Sequence, residues 1–156
     1  MAWLPDDFAH PERVGLPTGD HLRPMRADDV DLDYPAVMGS RERLWAVYGE
    51  HWGWPPVTMT VEQDREDLAH HEREIAAHET FLYGVFDPGE TRLLGCVYLD
   101  PPESDPADGA DVVTSWWVVD DAVGTDLERA LERFVPRWLV TDWPFRSPRP
   151  AVAAGG

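Results

Sequence analysis

Residues 111–145 read DVVTSWWVVD (111–120), DAVGTD (121–126) and LERALERFVPRWLVTDWPF (127–145). The first segment is dense in β-branched and aromatic residues, the composition of a strand over 111–119. The second is a turn with a single glycine, Gly124, and the third opens a helix near 126–139. A turn that cradles phosphate needs small residues, so that backbone amides can approach the anion, and it needs the first helical turn left uncapped. Thr125-Asp126-Leu127-Glu128 instead has the pattern of a capping box, in which Thr125 accepts from the Glu128 amide while the Glu128 carboxylate reaches back to the Thr125 amide. The expectation is that the protein itself satisfies the amides at this helix start.

Working backwards, 80–86 (TFLYGVF) and 91–99 (TRLLGCVYL) flank Asp87-Pro88-Gly89-Glu90, a hairpin signal joining two central strands. Thr60-x-x-Gln63 opens a charged helix running to about 78, with Val61, Leu68 and Ile75 on one stripe. GEHWGWPP at 49–56 reads as a loop, because Gly-Trp-Pro-Pro continues neither a helix nor a central strand. Before it, Val37, Met38, Leu44, Trp45 and Tyr48 fall at helical spacing within 32–48, and 21–25 is a short strand. Residues 1–20 form an arm that either packs through Trp3, Leu4 and Phe8 or stays loose; 140–145 is a short final strand; 147–156 is a mobile tail. One domain over 21–146 follows, of α+β (mixed α/β) class, with a mostly antiparallel sheet covered by helices in the order β-α-α-β-β-β-α-β.

The chain has 156 residues and a formal charge of −17, and all 13 of its basic residues are arginine. That charge argues against sequence-independent binding to nucleic acid or anionic membrane, since either needs a basic surface. No apolar run of membrane-spanning length and no signal peptide is readable, so the expected location is cytoplasmic. Cys96, the only cysteine, lies in an apolar run and is expected to be buried and inert.

The pieces HLRPMRADD (21–29), FLYGVFDPGETRLLGCVYLDPP (81–102) and VTSWWVVDDAVGTDLERALERFV (113–135), in this order, resemble the GNAT N-acetyltransferase superfamily over residues 21–145. The resemblance implies acyl-CoA (acetyl-CoA) as donor, a small-molecule amine as acceptor, and attack on the thioester in a splay beside 111–119. It places the coenzyme A contacts at Val119, Gly124, Thr125 and Arg129. Two departures stand out. The family's Arg/Gln-x-x-Gly-x-Gly/Ala loop falls on Val123-Gly124-Thr125-Asp126-Leu127-Glu128, where all three defining positions differ. No tyrosine follows Tyr98 to protonate the leaving thiolate.

Asp111 and Asp120 at the two ends of the WW strand, and His51 in the loop, are the candidate bases. Trp52, Trp54 and Trp116 are the candidate substrate contacts, because indole rings give flat, rigid recognition surface. Side chains alternate along a strand, so only one of Trp116 and Trp117 is expected to line a cleft. The bland alternatives are strand-end and turn residues for the aspartates and His51, and for the loop tryptophans the core or a homodimer interface. His71, Glu74 and His78 share a helix side at i, i+3 and i+7, but lack a nameable fourth ligand, and no metal is expected. Three functions stay open: an acyl-CoA-dependent N-acyltransferase, a binding module of the same fold that has lost coenzyme A and takes a small molecule or a protein, or a catalyst that uses the scaffold for cofactor-free chemistry.

Overall fold

The structure is a computed structural model that describes residues 3–103 and 106–150. A single six-stranded sheet runs in chain order: β1 (Val14–Gly15), β2 (His21–Pro24), β3 (Phe81–Phe86), β4 (Leu93–Asp100), β5 (Val112–Val118) and β6 (Pro148–Pro150). Every neighbouring pair is antiparallel except β5 and β6, which are parallel. The helices are α1 (Val30–Gly39), α2 (Arg41–Trp52), α3 (Val61–Ala76) and α4 (Asp126–Thr141).

All six residues of β3 are buried, which explains why FLYGVF is a continuous apolar run rather than an alternating one: both sheet faces are covered. Tyr83 and Phe81 meet Trp138 and Trp143 edge-on at 5.0 and 4.8 Å, so the α4 side of the sheet is an aromatic layer. On the other side Cys96, paired with Gly84 and Trp117, lies under the first three helices, buried as expected, with burial pushing its thiol pKa up. Gly95 is required where β4 approaches β5, because a Cβ there would stand 2.2 Å from the Trp117 carbonyl oxygen.

Several expectations are corrected. The first helix breaks at Ser40, whose backbone leaves the helical region (φ −118°, ψ 18°) and whose hydroxyl accepts from the Asp120 amide at 2.9 Å, tying the break to the end of β5. The expected loop at 49–56 begins later, since α2 continues to Trp52. Gly49 lies inside the helix under the Trp45 ring, where a Cβ would be 2.6 Å from it, and the left-handed Gly53 (φ 60°) terminates the helix. Residues 140–145 are not a strand; α4 runs to Thr141, and Trp143 and Phe145 turn back into the core. The parallel strand falls at 148–150, within the expected tail, while 151–156 lie outside the described residues. Finally, the arm packs. Leu4 and Leu16 are buried, and Trp3 stacks near Phe81 and Phe145 and donates its indole N–H to the Asp111 carbonyl at 2.9 Å.

Candidate functional site

Among the described residues, β6 pairs only with residues 112–114 of β5, and beyond Thr114 the edge of β5 has no strand partner. Val119 donates its amide to the Leu94 carbonyl of the β4 side. By strand alternation the N–H and C=O groups of Trp116 and Val118 therefore face the open edge. A cavity of about 280 Å³ lies against this edge. Its walls are Arg43, Leu44, Val47 and Tyr48 from α2, Trp116 and Trp117 from β5, Glu128 and Glu132 from α4, and Pro150 from β6. The cleft wraps around a strand edge between helices on opposite faces of the sheet. Both tryptophans therefore reach it, although their side chains alternate and only one was expected there.

The aromatic wall is built in layers. Tyr48 meets Tyr98 and Trp54 edge-on at 5.9 and 5.7 Å, and the Trp117 indole donates to the Tyr98 hydroxyl at 3.0 Å. Tyr48 places its hydroxyl 3.4 Å from Ser115 Oγ, and burial pushes its pKa up to about 12, so the phenol holds its proton at neutral pH. Among the described residues, Arg43 is the only cation lining the cleft. Its Nε donates to Asp120 at 2.8 Å and its Nη2 to the Val118 carbonyl.

The expected capping box at Thr125 does not form. Thr125 is the residue before α4, but its hydroxyl donates backwards to the Ala122 carbonyl and caps no helical amide. Glu128 reaches one residue further back than expected, accepting from the Gly124 amide at 2.9 Å, and Gly124 takes a left-handed conformation (φ 76°). Among the described residues, the amides of Asp126, Leu127 and Glu128 have no partner. The box fails because Gly124 lets the chain turn back on Ala122, which rotates the Thr125 hydroxyl away from the helix. Arg129 is held by the Gly124 carbonyl at 2.8 Å and by Asp126 at 2.6 Å.

The candidate bases are not brought together. Asp111 and Asp120 flank β5 at its opposite ends, about 30 Å apart for nine strand residues. The Asp111 carboxylate accepts the amides of Arg146 and Ser147 at 2.7 and 2.9 Å, pinning the approach to β6. His51 is exposed on the last turn of α2, not in a loop. Trp116 lines the cleft, whereas Trp54 lies half-buried behind it against Tyr48 and Trp117, and Trp52 projects into solvent with 73% of its surface exposed. Val119 is buried. His78 falls beyond the end of α3 with φ 56° and turns to His10, their ring nitrogens 3.2 Å apart, so it shares no helix face with His71 and Glu74. Sequence reading did not single out Arg43, Tyr48 or Glu132 as site residues. Tyr48 looked like one more apolar position on its helix, and nothing in the sequence marks which helix face meets an open strand edge.

No protein-family model and no curated protein sequence matches the chain. Solved structures do. Ribosomal-protein-S5-alanine acetyltransferase from Vibrio fischeri superposes over 85% of this chain with a TM-score of 0.59 at 15% identity, and the chain spans 66% of that protein's length. RimL, a ribosomal L7/L12 alpha-N-protein acetyltransferase in complex with coenzyme A, gives 0.65 at 16% identity over 85% of this chain and 71% of its own. An acetyl transferase from Salmonella typhimurium that modifies the N-terminal serine of L7/L12 gives 0.60 at 14% over 85% and 71%. At such identities the likeness is one of fold. This chain has the fold of the GNAT acetyltransferases.

Proposed function

We propose that the chain is an acyl-CoA-dependent N-acyltransferase for a small-molecule amine, working in the cleft at the open edge of β5. One observation carries this reading: among the described residues, the unpaired backbone of Trp116, the Val118 amide and the uncapped amides at the start of α4 border the same region. An extended arm bearing amides adds to a free strand edge, and a pyrophosphate is favoured at an uncapped helix start. The residues present suit the arm better than the phosphates, because Asp126 and Glu128 stand at that helix start and Arg129 is already paired with Asp126.

In this reading Glu132 takes the proton of the incoming ammonium, and the freed nitrogen bonds to the thioester carbonyl carbon as the carbon–sulfur bond breaks. The Trp116 amide faces the developing oxyanion. Tyr48, from α2, gives its proton to the departing sulfur and regains one from solvent, into which the newly bonded nitrogen releases its second proton.

A second reading, a binding module without coenzyme A, is favoured by the carboxylates at positions 126 and 128 and by Arg43 occupying the Val118 carbonyl. Calorimetric titration with acetyl-CoA separates the two. Acyl transfer predicts weak saturable binding, with a dissociation constant of about 100 µM or above, that tightens when Asp126→Asn and Glu128→Gln remove two like charges. No saturable heat from either protein at millimolar acetyl-CoA leaves the binding module.

A further inference from the structure

Helix α4 sorts its charges by flank. Glu128 and Glu132 line the β5 cleft, while Arg129, Arg133 and Arg137 line a separate groove of about 490 Å³ with one carboxylate, Asp126, beside Ala130, Phe134 and the turn residues Pro17 and Thr18. This arrangement sets three like-charge pairs four residues apart: 128 with 132, 129 with 133, and 133 with 137. Such pairs oppose helix stability, whereas a solvated helix face gains from mixed signs at the same spacing. Asp126 neutralises Arg129 alone, and among the described residues Arg133 and Arg137 pair with no carboxylate, although the chain has 30 acidic residues to offer.

We infer that this groove binds an extended acidic peptide segment carrying carboxylates at alternate positions. Successive arginines along the row are about 6 Å apart in rise, four residues of helix. Alternate side chains of an extended strand are about 6.6 Å apart, so a strand laid along α4 brings one carboxylate to each guanidinium. The Phe134 ring and Ala130 supply an apolar strip beside the row, with Pro17 as the facing wall. A compact phosphate fits less well, because the guanidiniums are strung along a line and do not converge. The inference is independent of acyl transfer.

Fluorescence anisotropy of a labelled (Glu-Gly)4 peptide with the full chain, at about 50 mM salt where surface charges are only partly screened, tests it. Binding is expected to weaken about tenfold for the Gln-Gly counterpart and about tenfold for the double change Arg133→Gln and Arg137→Gln, one factor of ten being 1.4 kcal/mol. Arg146→Gln, an exposed arginine outside the groove, should stay within about twofold. The double variant's unfolding midpoint should hold or rise, since it loses like-charge pairs, and the single change Arg137→Gln reports the same loss more weakly should the double fail to fold. Equal binding of the Gln-Gly peptide, no loss in the variants, or no binding overturns the inference. So does displacement of the peptide by equimolar oligothymidylate or inorganic phosphate, which would make the groove a phosphate site.

Discussion

Among single residues, two carboxyls in different settings respond to pH in opposite senses. Asp33 and Asp64 are buried on α1 and α3, and burial, with their mutual hydrogen bond and charge, raises the Asp33 pKa well above its ordinary 3.8. A raised carboxyl stabilises the fold in acid, where both states are protonated, and that stability is lost as pH rises through the folded value. Asp33→Asn keeps a donor for Asp64 without the titrating proton. It should raise stability by about 1–2 kcal/mol at pH 7–8 and by little at pH 3, as read from urea unfolding at the two pH values. A gain independent of pH would show that Asp33 does not titrate against the fold. Glu90 behaves oppositely. Hydrogen bonds from Arg23 and His21 lower its pKa to about 2 from 4.5, so its contribution is complete above pH 4.5 and is lost as pH falls towards 2. Glu90→Gln should flatten the acid limb of the stability profile between those values. None of this was legible in the sequence, where Asp33 is one of thirty acidic residues and only the fold brings it against Asp64.

At the scale of elements, two identical sequence signals had different outcomes. Thr60-x-x-Gln63 forms a true capping box, with the Thr60 hydroxyl accepting from the Gln63 amide at 3.1 Å and the Gln63 side chain accepting from the Thr60 amide at 2.9 Å. Thr125-x-x-Glu128 does not, because its hydroxyl is taken by Ala122. Thr60→Ala should therefore cost about 1 kcal/mol in denaturant unfolding, and Thr125→Ala, at an exposed site with no capped amide to lose, less than about half of that. Equal costs would restore the capping box. Strands β3, β4 and β5 and their adjacency were readable because the hairpin and WW-strand patterns are local. The break at Ser40 and the true place of β6 were not readable, since each depends on a contact with a distant segment, Asp120 and Asp111. The extra turn of α2 past Gly49 rests on a local contact with the Trp45 ring of the same helix, which the Gly-Trp-Pro-Pro reading passed over.

For the whole molecule, a charge of −17 spread over 156 residues means net self-repulsion. Raising NaCl from about 50 to 500 mM shortens the screening length and should raise the thermal midpoint by a few degrees, whereas a fall would mean that the ion pairs of Arg23, Arg43 and Arg149 outweigh the repulsion. Among the described residues no helix is long and apolar enough to cross a membrane. The sequence alone determined the α+β class, the antiparallel run of β3, β4 and β5, the buried Cys96 and the absence of a glycine-rich turn before α4, because residue type and short-range spacing carry those properties. Only the tertiary structure decided that the α4 amides are open, that Tyr48 and Glu132 face Trp116 across one cleft, and that the Asp111 carboxylate holds the amides of Arg146 and Ser147. A cleft is made by surfaces from segments far apart in the chain, and which side chains face it depends on helix rotation and on where a strand edge is left unpaired.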